Sequence, residues 1–119
     1  MKQPSKTDDL PVARKPTLEK QICAAIKSRS VLQLKYDDAK PARWFAPHAL
    51  YRTSKDKICV TGSEMPTASG SPTKEQTHNF EVGRIQLLTD TGHQFRPYTG
   101  FSSRGPSFEH GVECAVDRP

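Results

Sequence analysis

Leu18-Glu19-Lys20-Gln21-Ile22-Cys23-Ala24-Ala25-Ile26-Lys27-Ser28, then Arg29-Ser30, then Val31-Leu32-Gln33-Leu34-Lys35-Tyr36 is the stretch that decides the fold. In the first run Leu18, Ile22, Ala25 and Ile26 recur on one face of a helical period. In the second, Leu32, Leu34 and Tyr36 alternate, as they do in a strand with one buried side. Thr17 is placed to cap the helix, and Glu19 to complement its positive N-terminal end. The period therefore switches after Ser30, and the spacing predicts a helix from Leu18 to about Ser28 followed by a strand ending at Tyr36.

Reading outward, Asp37 to Pro41 breaks that strand and Ala42 to Ala46 resumes as a second. Pro47 is expected to stop it, because proline has no backbone donor for a ladder. Leu50-Tyr51-Arg52 and Ile58 to Thr61 read as a hairpin around Ser54-Lys55-Asp56. Gly62 to Thr77 is rich in Ser, Thr, Pro and Gly and reads as a mobile loop. Phe80 to Val82 is a further strand, Gly83-Arg84 a bend, and Ile85 to Thr89 its continuation. After Phe95, residues Pro97, Gly100, Gly105, Pro106 and Gly111 punctuate a tail that straps across the sheet. The predicted core is Leu18, Ile22, Ile26, Leu32, Leu34, Phe45, Ile58, Val60, Phe80, Ile85, Leu87 and Phe95. The fold class is mainly β with one N-terminal helix, a strongly bent sheet of about five strands forming a small barrel. Residues 1–16 are expected to be a disordered tail, 17–98 the domain, and 99–119 a flexible strap.

Composition sets the bounds. With 119 residues, 34% of them apolar and 10 of them proline, the chain supports one small core. Its 18 Lys and Arg against 13 Asp and Glu give a net charge of +5, which favours anionic partners. No apolar run approaches the ~20 residues of a membrane span, and the polar, proline-interrupted start has no secretory h-region. The expected setting is soluble and cytoplasmic. Cys23, Cys59 and Cys114 are odd in number and far apart, with no C-x-x-C pair, so reduced thiols are expected. His48, His78, His93 and His110 have no metal-ligand spacing, so neither a metal nor another cofactor is expected.

Two arginines, two tyrosines and a histidine are threaded through the strand ends of this apolar frame. Arg43 lies between apolar neighbours; its planar fork suits phosphate oxygens, or it pairs with Asp37 or Asp38. Arg84 follows Gly83 at a bend whose backbone donors could join it around an anion, or it pairs with Glu81 or Asp90. Tyr36 and Tyr51 are able to stack on a base, though Tyr36 equally suits core packing. His48 follows Pro47 and donates to a phosphate if protonated; an ordinary loop histidine is the competing reading.

The order of these elements resembles the WYL domain, a small Sm-like (SH3-type) β-barrel often attached to bacterial transcription factors and CRISPR-associated proteins. The resemblance rests on the Ala25-Ile26 pair in the helix, the strand ending in Tyr36, Arg43 and Pro47. Beyond the hairpin it is carried by Phe80, Arg84-Ile85, and the aromatic strap Phe95-Arg96-Pro97-Tyr98. It covers about residues 18–98. The tripeptide that names the family is absent, with Lys57-Ile58-Cys59 in its place, and the first sixteen residues cannot form a helix-turn-helix. The resemblance thus implies a binding and regulatory role through a basic, aromatic surface, with Tyr36, Arg43, His48, Tyr51 and Arg84 as the ligand-binding positions.

Paired carboxylates, G-x-S-x-G, a phosphate-binding glycine loop and a Cys–His arrangement are all missing. The sequence reading is a non-enzymatic module that binds a nucleotide or short single-stranded nucleic acid. The alternative is a protein–protein adaptor or homodimerisation unit, and a small nucleotide hydrolase is a more distant third.

Overall fold

The computed structural model describes residues 10–36 and 41–118. It is mainly β: one N-terminal helix and a six-stranded antiparallel sheet, open but compact. The helix, α1, spans Pro16–Ser28 and is followed by β1 (Ser30–Tyr36), β2 (Arg43–Arg52), β3 (Ile58–Met65), β4 (Thr77–Glu81), β5 (Ile85–Gln94) and β6 (Val112–Ala115). The sheet order is β4-β3-β2-β1-β5, with β6 added alongside β2.

The helix starts at Pro16, with Lys15 in the capping position and no side-chain cap. Thr17 is therefore inside the first turn rather than its cap, since proline already carries the φ suited to the first helical position. Arg29 closes the helix in the left-handed conformation (φ 58°), its N–H donating to Ile26. Ile22, Ala25 and Ile26 bury the apolar stripe against Leu32, Leu34, Phe45, Leu50, Val60 and Ile85.

Register shifts separate this sheet from a simple alternation, and two of them decide which side chains face the core. Pro47 pairs with Gly62 and Ala49 with Thr61, so His48 is an extra residue and β2 continues through the proline instead of stopping. A bulge tolerates proline because the ladder is already interrupted there. On β5, Ile85 pairs with Tyr36 and Leu87 with Lys35, which leaves Gln86 extra. The phase flips after it. Leu88, not Leu87, turns towards the core, and Leu87 stands 62% exposed, contrary to its place in the predicted core.

Segments read as mobile are partly built in. β3 runs to Met65, and the Ser63 hydroxyl bonds both the N–H and the carbonyl of Thr73, shortening the Gly62–Thr77 loop at both ends. Residues 1–9 of the expected N-terminal tail lie outside the described residues. Residues 10–15 run beside the β4–β5 bend, where Val12 N–H donates to the Glu81 carboxylate and Lys15 Nζ to the Ile85 carbonyl. Within the expected C-terminal strap, β6 pairs Ala49, Leu50 and Tyr51 with Ala115, Cys114 and Val112.

That pairing also corrects the cysteine reading. β6 comes to rest beside α1, and Cys114 is bonded to Cys23 in a disulfide, with Cα atoms 5.8 Å apart. Ninety-one residues separate the two. Only Cys59 remains a free thiol.

Candidate functional site

The site is built on the face of β2, β3 and β4 that lies under residues 98–108. Strand alternation sends Tyr51, Thr61 and Asn79 to this face while Leu50, Val60 and Phe80 face α1 and the core. The Tyr51 ring is buried, and its hydroxyl donates to Asn79 Oδ1 at 3.2 Å. Burial pushes its pKa up to about 12, so the hydroxyl stays a donor at any physiological pH.

The strap crosses this face as a row of rings. His48 stacks against Phe95 (5.2 Å between centroids) and lies 4.7 Å from Tyr98 and 5.1 Å from Phe101. Phe101 meets Phe108 edge-on at 6.1 Å, and Phe108 meets Tyr51 edge-on at 4.9 Å. Between sheet and strap opens a cleft of about 720 Å³, within the size range of small-molecule sites. Tyr51, Tyr98, Phe101 and Phe108 supply aromatic surface; Asn79, Ser102 and Ser107 supply polar groups; Lys74 and Arg104 stand exposed at the rim.

His48 lies beneath the strap and holds it. It is fully buried at the β2 bulge, with Nδ1 2.8 Å from the Ala46 carbonyl and Nε2 accepting from the Tyr98 N–H at 3.3 Å. These two bonds together require the neutral tautomer with its proton on Nδ1. Burial, seconded by the charge of Arg29, lowers its pKa, which holds it in that form. The bulge drives its ring inward, so it is not exposed at a strand end.

The other expected positions are distributed differently. Arg43 lies over the Phe80 ring (5.5 Å) and pairs with Glu64 at 3.1 Å. Tyr36 packs on the same ring at 4.9 Å, and its hydroxyl accepts from the Glu81 N–H. Arg84 pairs with the Glu81 carboxylate, whose side chain alternates to the opposite face of β4 from Phe80. Arg43 and Arg84 therefore serve two separate carboxylates on two faces, and only Tyr51 of the five lines the cleft. Among the described residues neither Lys74 nor Arg104 pairs with a carboxylate. The sequence signal for the strap residues was three aromatic side chains, Tyr98, Phe101 and Phe108, in a segment otherwise too polar to form a core.

Cys59 lies in β3 opposite Tyr51 and Glu81, buried, with its thiol pushed up to about 11 by burial and by the Glu81 carboxylate. It is not a thiolate nucleophile at neutral pH. Among the described residues no three His, Cys, Asp or Glu side chains gather around a metal-sized space. No described helix is long and apolar enough to cross a membrane.

No protein-family model matches the chain, and neither does any curated protein. Its fold is similar to part of a solved structure, proteasome accessory factor B/C (PafBC) of Arthrobacter aurescens. The identity is 19% and the TM-score 0.49, over 86% of this chain. The match spans only 15% of that protein's length.

Proposed function

We propose that the chain is a non-enzymatic, WYL-like binding module of the cytoplasm that takes a nucleotide or short single-stranded nucleic acid in the cleft under the strap, and regulates a partner accordingly. One observation carries this reading. The cleft gathers four aromatic rings with the two cations, Lys74 and Arg104, that no described carboxylate neutralises. Rings stack on bases whatever their sequence, and unpaired cations attract phosphates. Arginines already bonded to carboxylates, such as Arg43 and Arg84, are poorer phosphate partners, since an incoming anion must first displace the acid.

The test is binding of a fluorescein-labelled oligothymidylate, followed by anisotropy over a range of salt. Two phosphate contacts on a single strand predict a log–log salt slope of about −1.4. Arg104→Ala should weaken binding by about 1.5–3 kcal/mol and flatten that slope, while Phe108→Ala should weaken binding and leave the slope unchanged. Absence of oligonucleotide and nucleotide binding at low salt, with a salt-insensitive dimer in its place, would favour the adaptor reading.

A further inference from the structure

We propose that the Cys23–Cys114 disulfide is a redox latch on the cleft: formed, it holds the strap in its binding position, and reduced, it lets the strap loosen. The inference rests on the cytoplasmic, cleft-binding reading above. In a reducing compartment a disulfide is commonly transient and regulatory rather than structural.

The coupling runs through contiguous contacts. Cys114 sits in β6, a strand of four residues whose register with β2 runs from Ala49 to Tyr51. One backbone bond flanks it on each side, Arg52 N–H to the Gly111 carbonyl and Val116 N–H to the His48 carbonyl, with Arg29 donating to the Val116 carbonyl. The residues just after β6 clasp the cleft wall from behind. Asp117 accepts from the Ser103 N–H at 2.8 Å, and Arg118 donates to both the Ser103 hydroxyl (2.8 Å) and its carbonyl (3.1 Å). Ser103 is buried within the strap, between Ser102 and Arg104 of the cleft. Without the disulfide, β6 depends on its short ladder and a few tertiary contacts, and any fraying is passed to Ser103. The other end of the strap stays pinned by Tyr98 on His48.

A reductant has access to the bond. Both cysteines are only half-buried, and a hollow of about 210 Å³ lined by Glu19, Lys20, Leu50 and Glu113 opens beside Cys23. A dithiol's thiolate attacks one sulfur, forms a mixed disulfide and expels the other cysteine as a thiolate, which takes a proton from water. The dithiol's second thiol then releases the remaining cysteine, so two protein thiols and one oxidised dithiol result. Cys59 cannot divert this exchange, being buried in β3.

The full-length chain is oxidised with glutathione disulfide or reduced with dithiothreitol, beside Cys114→Ser and, as a control, Cys59→Ser. Two quantities are measured: affinity for the labelled oligothymidylate, and amide hydrogen exchange across 98–118. Reduction and Cys114→Ser should each weaken binding about tenfold, the cost of re-ordering a loosened wall, and accelerate exchange in that segment. Cys59→Ser should change neither. If Cys114→Ser does not fold, the reduced wild type carries the comparison. Equal exchange in the oxidised and reduced chains overturns the latch, as does a disulfide that resists reduced thioredoxin or three titratable thiols after oxidation. Faster exchange on reduction with no oligothymidylate bound in either state upholds the latch and removes the nucleic-acid reading instead.

Discussion

His48 shows how one residue converts a local irregularity into a site. As the extra residue of the β2 bulge it turns its ring beneath the strap, where both nitrogens find partners only if the ring is neutral. Burial lowers its pKa below the ordinary value near 6.5, so the unfolded chain takes up a proton before the folded one does. Stability is then full above about pH 6.5 and falls as the pH drops below it, levelling off only beneath the lowered folded value. Urea unfolding of wild type and His48→Gln at a series of pH values should show this slope in wild type and a shallower one in the variant. Gly62 is a second such residue. A β-carbon there would lie against the Ala46 carbonyl and 2.8 Å from Phe45 Cζ, so Gly62→Ala should cost about 1–3 kcal/mol in the same assay. Arg43 and Arg84, each already paired with a carboxylate, should on replacement by Ala leave oligothymidylate affinity within about twofold, in contrast to Arg104.

Among the elements, α1 and β1 follow directly from their periodicity, while β2, β5 and β6 do not. An alternating pattern read across a bulge assigns every later side chain to the wrong face, which is why Leu87 was expected in the core. β6 escaped because a strand of four residues in a Gly- and Pro-rich tail has little pattern of its own; it exists through its ladder to β2 and its disulfide to α1. Its C-terminal clasp is testable without touching the cysteines. Asp117 lies below the usual carboxylate range, held there by the backbone N–H and hydroxyl of Ser103 against the opposing effect of burial. Ser103→Ala should therefore cost about 1 kcal/mol and speed proteolysis at Arg104, as measured by denaturant unfolding and timed trypsin digestion.

At the scale of the whole molecule, protection should follow the sheet order. β2 is flanked by β3 on one side and by β1 and β6 on the other, and it carries Phe45, Ala46, Ala49 and Leu50 into the core. Its amides should exchange slowest, near the global unfolding free energy, with the edge strand β4 faster and residues 98–111 fastest of the three. A hydrogen-exchange profile in which the strap matched β2 would make the cleft a rigid, preformed pocket. The net charge of +5 acts at this scale too, drawing anions in from a distance without choosing where they bind.

The amino-acid sequence by itself determined the helix, the mainly β class, most of the core and the net positive charge, because periodicity and composition are local or additive properties. Of the five positions singled out in the sequence, Tyr51 is the one that lines the cleft. Only the tertiary structure decided that Arg43 and Arg84 spend their charge on Glu64 and Glu81, that His48 lies under a ring of aromatics, and that Cys23 meets Cys114. Each of these depends on which distant strand lies alongside, and on one-residue bulges that invert the facing of everything after them. The cleft has the same origin: its floor comes from β2, β3 and β4 and its wall from residues 98–108, brought together by a strand pairing that no local pattern encodes.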